Sequence, residues 1–599
     1  MKATKDLIAN GSVELATLQG HVRRILGVKW DLGLFADPFI PSETDPLDIV
    51  SGHRTLTLEA SQRSIVLLEN RNSILPLKPQ EQNISRIALI GPFTDVLNYG
   101  GYSGQWGQYP AGAACTLRQG ILSYSGEHDF ELVSGWGANT WEYNAQYVIP
   151  PYLLAANKSA TGGLLATYFA DTNFKQPLVQ RLETPALDWG LYPPDGLPST
   201  NFSAIWEGEL QSPVDVDVDG WIGVAVGQNT TVKLFIDGEL ITAHGGQDGM
   251  LQSSSNIMSN IMDYNYIQAN STLPPQGAAS FTFRKGATYH IRIEYQAFNL
   301  YKKVANVVSL NSQLILFWNL VSRNGDAVNH AVQLASSADV VVLAVGAAWN
   351  SDGESGDRGT LGLPPSQDIL AREIYKLAKP VVLVLQGGRP FAIDYYNQSA
   401  AVLSAFFPGQ SGGQAIADVL FGTVTPGGRM PVTVPRHVGQ LPVYYNYKAL
   451  AHKKDYLDID SSPAYWFGYG MSYTDFKVSA FEASSTARDP RTFSSGDTVT
   501  FSVTVENVGD AAGSYVVQVY VLSRVSSIVQ PERQLVAFQR VDIEAGHGAT
   551  VTMDLDVDRY LTILNRKNEW ELEKGSYTFA LLNHGGDTDK STNVTLNCI

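Results

Sequence analysis

Cysteine is nearly absent from this chain: Cys115 and Cys598 are the only two, which is too few for a disulfide framework. They show no metal-ligand spacing, and the ten histidines form no H-x-x-x-H pair. Charged residues make up only 17% of the chain, yet no apolar run reaches the length of a membrane span. We therefore expect no metal, no cofactor and no transmembrane segment.

Basic residues are also scarce. Lys and Arg number 42 against 58 Asp and Glu, which gives a net charge of -16 and argues against nucleic acids or anionic membranes as partners. A single hydrophobic core rarely exceeds about 250–300 residues. The 599 residues of this chain therefore predict several domains.

Export is indicated by eight N-x-S/T sequons, which are acceptor sites for glycans in secreted proteins. They lie at Asn10, Asn83, Asn157, Asn201, Asn229, Asn270, Asn397 and Asn593. The first residues, Met1-Lys-Ala-Thr-Lys-Asp, lack the apolar segment of a signal peptide. We predict a secreted glycoprotein whose signal peptide is not in this chain.

The spacing of apolar residues changes along the chain and divides it into regions of different predicted secondary structure. A helix capped by Ser12 is predicted over 12–30, and a second helix over 56–68 precedes a strand at 87–91, as in an α/β domain. The apolar face of the first helix comprises Leu15, Leu18, Val22 and Leu26. From Gly163 to Trp318, short strands separated by turns replace this pattern and predict a β-sandwich.

The α/β pattern then resumes, which indicates that the β-sandwich is inserted into one α/β domain. The predicted helices lie at 327–335, 368–379 and 415–420, and the predicted strands at 340–345, 380–385 and 401–405. From Tyr473 onward, alternating strands and regular turns predict a seven-stranded sandwich of immunoglobulin or fibronectin III type.

Several charged and polar residues lie close together in one loop at 350–364, with the sequence N-S-D-G-E-S-G-D-R-G-T-L-G-L-P. It follows a predicted buried strand, at the end of the sheet where α/β proteins handle ligands. Glu354 stands close to Asp357 and Arg358, and a carboxyl group held there can be directed at a substrate oxygen. From spacing alone, a surface loop with one Asp–Arg pair and an uninvolved Glu is the simpler alternative.

Several ordered strings identify a known family. They include S-I-V-L-L-E-N at 64–70, I-A-L-I-G-P at 87–92, E-S-G-D-R at 354–358, P-G-Q-S-G-G at 408–413 and F-G-Y-G-M-S-Y-T at 467–474. In order and wording they resemble glycoside hydrolase family 3, the β-glucosidases and β-xylosidases, and the insert resembles the protective-antigen-type sandwich. The implied domains are an α/β sandwich over 41–155 and 320–435, the insert over 160–319, a linker over 436–472 and a fibronectin III-like domain over 473–599.

The resemblance also implies site residues and substrates. Glu354 matches the general acid/base of a retaining glycosidase, and Asp357 with Arg358 matches a loop-structuring pair. Candidate substrate-binding residues, each with a core or tight-turn role as its alternative, are Trp349, Tyr102 and Ser103. The implied substrates are β-linked gluco-oligosaccharides or aryl and alkyl β-glucosides.

One departure from the family pattern concerns the nucleophile. The family carries it in a Ser-Asp-Trp-like motif on an N-terminal (β/α)8 barrel, and no such motif occurs here. Residues 1–40 match only the barrel-exit helix and linker, so we expect this chain alone to be inactive. The alternatives are a non-catalytic carbohydrate-binding or structural derivative, a β-xylosidase, or a barrel supplied by another chain. The sequence leaves a homo-oligomer open.

Overall fold

A computed structural model describes residues 2–39, 52–94, 97–98, 115–138, 147–149, 153–157, 160–187, 196–198, 200–212, 214, 216–226, 230–245, 277–298, 314–319, 326–348, 352, 356–448, 456–524 and 526–599. Residues 1–53 and 54–599 form two compact units. No helix within the described ranges is long and apolar enough to cross a membrane.

The first unit contains two helices, α1 (Lys2–Ala9) and α2 (Leu15–Asp31). The predicted opening helix is confirmed as α2, but its N-cap is Glu14 rather than Ser12, and no side chain caps it. No residue of α2 is buried, and large apolar side chains on it, such as Trp30, are exposed.

The second unit holds the remaining helices and all strands of the described chain. The helices are α3 (Arg54–Ser64), α4 (Pro79–Gln82), α5 (Leu117–His128), α6 (Asp326–Ser336), α7 (Pro365–Tyr375), α8 (Gly412–Phe421) and α9 (Val557–Tyr560). The first strands are β1 (Val66–Asn70), β2 (Arg86–Ile90) and β3 (Glu131–Gly135).

The strands of the middle region follow in chain order. They are β4 (Tyr147–Val148), β5 (Leu154–Asn157), β6 (Ala160–Thr161), β7 (Leu164–Phe169), β8 (Pro177–Glu183), β9 (Ala186–Leu187), β10 (Asn201–Gln211), β11 (Val218–Val226), β12 (Thr230–Ile236), β13 (Glu239–Gly245), β14 (Ala278–Phe283), β15 (Thr288–Phe298) and β16 (Leu314–Asn319).

The last two groups of strands complete the second unit. The first group is β17 (Val340–Gly346), β18 (Val381–Gln386) and β19 (Ala401–Phe406). The second group is β20 (Phe476–Ser485), β21 (Thr492–Phe493), β22 (Thr498–Asn507), β23 (Gly513–Arg524), β24 (Gln534–Ile543), β25 (Gly548–Asp556), β26 (Ile563–Leu564), β27 (Trp570–Glu571), β28 (Gly575–Leu581) and β29 (Asn593–Cys598).

One six-stranded sheet, in the order β1-β19-β18-β17-β2-β3, joins segments from both sides of the middle region. All of its pairings are parallel except that of β1 with β19. Helices α3, α5 and α8 contribute to the core on one face, and α6 and α7 contribute to the core on the other. The predicted α/β domain with an insertion is therefore confirmed as the fold class.

The predicted helix over 56–68 is only half correct. Helix α3 ends at Ser64, and Val66–Asn70 forms β1, which pairs with β19. A short apolar run such as Ile65-Val-Leu-Leu68 fits a buried helix or a buried strand equally well. The long-range pairing with β19, which the local pattern does not contain, decides in favour of the strand.

The middle region is a β-sandwich of an eight-stranded and a five-stranded sheet around one apolar core. It begins earlier than the predicted start near residue 160, because β4 pairs with β16 and β5 pairs with β10. The C-terminal region also differs from the seven strands predicted. Among the described residues it contains a three-stranded sheet, a five-stranded sheet that includes the very short β21, and a two-stranded sheet of β26 and β27.

Candidate active site

The carboxyl ends of β2, β17 and β18 form a tightly closed edge of the six-stranded sheet. Gly346 has a φ of +141°, and a Cβ there would lie 1.8 Å from the carbonyl oxygen of Gln386. Gly91 has a φ of +120°, and a Cβ there would lie 2.0 Å from the oxygen of Ala344. Only glycine fits at these two positions, so the chain can turn away from the strands directly into loops.

The loops after β17 and β18 are joined to each other. The amide of Ala392, after β18, donates to the carbonyl of Leu361, after β17, at 2.8 Å. The apolar side chains of Leu363 and Phe391 are buried in the same core cluster below them. The two loops therefore form one connected surface above adjacent strands.

Asp352 is a buried acidic residue of the loop after β17. Its side chain is 0% exposed, and its Oδ1 lies 3.7 Å from Nη1 of Arg358 and 3.8 Å from Nη1 of Arg389. Both distances exceed hydrogen-bond length, and neither carboxylate oxygen accepts a hydrogen bond from the described part of the chain. The contacts that the structure shows for this carboxylate are thus ion pairs with two arginines.

The same two arginines donate to backbone carbonyls of the loop after β17. Nη2 of Arg358 donates to Gly362 O at 3.0 Å, and Nη2 of Arg389 donates to Gly356 O at 2.6 Å. Arg389 belongs to the loop after β18, whereas Arg358 belongs to the same loop as its acceptor. Each arginine therefore connects the buried carboxylate to a second point of the loop surface.

Burial and charge act against each other in this cluster. Burial raises the pKa of the Asp352 carboxyl above its ordinary value, and the two arginine charges oppose that rise. Burial lowers the pKa of Arg358, an effect that Asp352 counteracts and Arg389 reinforces. The Asp352 carboxylate thus offsets part of the repulsion between two neighbouring guanidinium cations.

The predicted pairing of Arg358 with Asp357 is not what the structure shows. Among the described residues, the carboxylate that pairs with Arg358 is Asp352. The Arg358 side chain is buried, whereas Asp357 is exposed, so the two neighbouring side chains lie in different environments. The loop-structuring role of Asp357 and Arg358 stays a prediction, with Asp352 as the new paired carboxylate.

The other predicted site residues lie outside the described residues: Glu354, Trp349, Tyr102 and Ser103. Another tryptophan, Trp136, is described. It packs edge-on against Trp318 at a centroid distance of 6.3 Å and contacts the core of the β-sandwich. Trp136 therefore belongs to the packing of the β-sandwich.

Sequence reasoning missed Asp352 and Arg389. Asp352 stands two residues before Glu354 in the polar loop already singled out, and Arg389 follows the next strand in G-G-R-P. The available signal was that both segments follow buried parallel strands. The adjacency of β17 and β18 in the sheet then brings the two side chains together.

Comparison with protein families identifies the class. Residues 65–473 match the glycosyl hydrolase family 3 C-terminal domain, and residues 515–584 match the fibronectin type III-like domain. The first match covers more than half of the chain and includes all six strands of the α/β sheet and the loop that carries Asp352. The chain belongs to glycoside hydrolase family 3.

Individual relatives of the chain are named β-glucosidase or β-xylosidase. The chain is 27% identical to a periplasmic β-glucosidase of Salmonella typhimurium over 593 residues, which cover 96% of this chain and 55% of the relative. A β-xylosidase of Formosa agariphila is 35% identical over 286 residues, which cover 47% of this chain and 38% of the relative. The chain therefore spans about half or less of the length of these relatives.

Solved structures agree on the fold. A β-glucosidase from Kluyveromyces marxianus in complex with glucose superposes with a TM-score of 0.64 at 22% identity, covering 93% of this chain and 64% of that one. A β-glucosidase from Listeria innocua in complex with isofagomine gives a TM-score of 0.57 at 21% identity, covering 99% of this chain and 57% of the other. These likenesses extend over nearly the whole chain.

Proposed function

We propose that this chain carries the acid/base part of a retaining β-glucosidase, with Glu354 as the general acid/base. The observation that supports this most is the family match, which runs through the loop after β17 at the carboxyl edge of the sheet. The relatives that align with most of the chain are named β-glucosidases. The proposed substrates are β-linked gluco-oligosaccharides or aryl and alkyl β-glucosides.

The chemistry requires two carboxyl groups about 5–5.5 Å apart. In the first step Glu354 protonates the leaving-group oxygen while a carboxylate nucleophile attacks the sugar, and in the second step Glu354 activates water. We assign no nucleophile to this chain. We infer that it comes from a (β/α)8 barrel, which also grips the sugar ring, on a longer form of the protein or on another chain.

A consequence of this division is that the 599 residues by themselves hydrolyse β-glucosides negligibly. A general acid contributes about 10²–10⁴-fold to a rate, but only when the bond to be protonated is held in position. The purified chain, of confirmed mass, is assayed with an aryl β-glucoside and an aryl β-xyloside. Release no faster than in buffer agrees with the proposal, whereas turnover at about 1–10³ s⁻¹ means that these residues contain a nucleophile.

A β-xylosidase is the second candidate, because the relative with the higher identity over its aligned part bears that name. The two aryl substrates, tested in a form that also carries a barrel, decide between them by kcat/KM. A non-catalytic carbohydrate-binding derivative is the third candidate. Calorimetric binding of cellobiose to the 599-residue chain, with no turnover in the barrel-containing form, identifies it.

We propose further that the protein is secreted and that its inserted sandwich is of protective-antigen type. The eight sequons and the periplasmic name of one relative support export. Intact-mass analysis of the protein from a glycosylating host, before and after enzymatic removal of N-glycans, tests the first point. An unchanged mass contradicts glycosylation.

A further inference from the structure

We propose that Asp352 is a positioning residue, a shared counter-ion that holds together the two loops that follow β17 and β18. Its effect on catalysis rests on the proposed function, because it acts through the segment that carries Glu354. Whether Asp352 holds the two loops together can be measured without any enzymatic activity.

The arrangement of Arg389 supports this role. Its guanidinium faces Asp352 Oδ1 at 3.8 Å and donates to Gly356 O at 2.6 Å. These two residues flank 353–355 in the sequence, so one side chain from the neighbouring loop is tied to both ends of that short stretch. Arg358 faces the same carboxylate and donates to Gly362 further along the loop.

The carboxylate is needed because its partners are cations that face each other. Arg358 has a side chain only 8% exposed, and Arg389 acts on it as a like charge. Removing one partner of a buried ion pair is strongly destabilising. Without Asp352, its charge no longer offsets the repulsion between Arg358 and Arg389, so the two guanidinium groups are expected to move apart and to separate the loops that carry them.

Separation of the loops bears on the proposed acid. Glu354 lies two residues from Asp352 and two residues from Gly356, and consecutive residues span at most about 3.3–3.6 Å each. Loss of both anchor points therefore displaces the segment that bears Glu354. A misplacement of about 1 Å in a catalytic group can reduce a rate by about 100-fold.

We call the ion pairs of Asp352 with Arg358 and Arg389 the clamp. Amide hydrogen exchange on the 599-residue chain tests directly whether the clamp holds the two loops together. Asp352→Asn keeps the shape but removes the charge, and Asp394→Asn makes the same change at an exposed residue beyond the β18 loop. We expect the amide of Ala392, which donates to Leu361 O across the two loops, to exchange at least tenfold faster in Asp352→Asn and within twofold of the parent in Asp394→Asn. Equal rates in the two variants overturn the proposal.

Arg389→Lys covers the case in which Asp352→Asn does not fold. It keeps a charge but loses the planar fork that spans Asp352 and Gly356, and it should increase exchange of the same amide. Where Asp352→Asn folds, the double variant Asp352→Asn/Arg389→Gln keeps the Arg358 charge but removes the repulsion between the two guanidinium groups. The increase in its exchange rate should therefore be smaller than the product of the increases in Asp352→Asn and Arg389→Gln alone, and full multiplication of those two effects contradicts a shared clamp.

The catalytic part is measured in a form that also carries a barrel, with Glu354→Ala as the reference. Asp352→Asn should lower kcat for cellobiose at least tenfold, lower kcat for an activated aryl glucoside less, and change KM less than twofold, while Asp394→Asn matches the parent. If Glu354→Ala leaves cellobiose turnover unchanged, the proposed acid is wrong and the clamp stands or falls on the exchange result alone. If Glu354→Ala lowers turnover but Asp352→Asn behaves like Asp394→Asn, the positioning role is overturned.

Discussion

Glu183 in the inserted β-sandwich and Asp352 at the sheet edge are both buried carboxylates beside arginine, yet they are held differently. Glu183 accepts hydrogen bonds from Tyr168 at 2.5 Å and Trp206 at 2.8 Å, and Nε of Arg181 lies 2.5 Å from it. Asp352 accepts none from the described residues and faces its two arginines at 3.7 and 3.8 Å.

The contacts of Glu183 stabilise strands within one sheet, whereas those of Asp352 connect two loops. The partners of Glu183 lie on β7, β8 and β10, which pair within one sheet. A fully satisfied buried network rigidifies the element that contains it. The described partners of Asp352 lie on the loops after β17 and β18, so its ion pairs connect two loops rather than strands of one sheet.

Asp418 on α8 is a second example of the satisfied kind. It is 4% exposed and accepts hydrogen bonds from Gln62 at 2.6 Å, Tyr124 at 2.7 Å and Gln414 at 2.6 Å. These donors come from α3, α5 and α8, so the carboxylate joins three helices on one face of the sheet. We expect its loss, like that of Glu183, to lower global stability rather than to loosen one loop.

The largest expected loss of stability follows Glu183→Ala. The substitution leaves the half-buried Arg181 without its carboxylate and removes the acceptor of two buried donors, which should cost about 3–5 kcal/mol. Chemical denaturation measures the change in unfolding free energy. Glu239→Ala, at an exposed position of the same sheet, should stay within about 0.5 kcal/mol of the parent. Similar losses of unfolding free energy in both variants would show that the buried contacts of Glu183 contribute no more to stability than an exposed glutamate does.

A smaller loss is expected for Asp418→Ala, because its donors are only partly buried and can reach water. Leaving them without their acceptor should cost about 1–3 kcal/mol in the unfolding free energy. Asp458→Ala, at an exposed position, provides the matched control. A change in Asp418→Ala no greater than in the control shows that the three-helix network does not contribute to stability.

The smallest effect concerns Tyr124 and alkaline pH. Burial raises the pKa of Tyr124 from 10.0 to about 12, and the Asp418 carboxylate acts in the same direction. Below pH 10 the phenol is neutral in both states, whereas between about pH 10 and 12 it ionises first in the unfolded chain, so its contribution to stability is lost as pH rises. Tyr124→Phe should therefore lose less stability than the parent between pH 9 and 11.

The control for that titration is Tyr444→Phe, because the Tyr444 side chain is 55% exposed. Its denaturation midpoint should follow the pH dependence of the parent. If Tyr124→Phe and Tyr444→Phe show the same dependence, burial of Tyr124 does not govern the alkaline loss.

Much of the fold was predictable because many strands are recognisable from the order of apolar and polar residues within each segment. The continuous apolar runs of β17 and β18 and the alternation of β22 predict strands without any knowledge of their partners. What failed depended on pairing across the chain. The run at 65–68 became a strand through β19, and the two-residue β21 exists only because it pairs with β29.

The candidate site shows the same limit. Family strings mark Glu354, and the polar composition of its loop marks the region. The partner of Arg358 could not be predicted, because the choice between Asp352 and Asp357 depends on which way each side chain turns in an irregular loop. Arg389 could not be predicted either, since its place beside Asp352 follows from the order of strands in the sheet.

The most direct test of Glu354 as the general acid/base compares leaving groups in a form that also carries a barrel. Glu354→Ala should lower turnover of cellobiose by about 10²–10⁴-fold, and turnover of an activated aryl β-glucoside much less, because that leaving group needs little protonation. Azide should partly restore the second step by attacking the glycosyl-enzyme without help from a base. Unchanged turnover of cellobiose in Glu354→Ala would contradict the assignment.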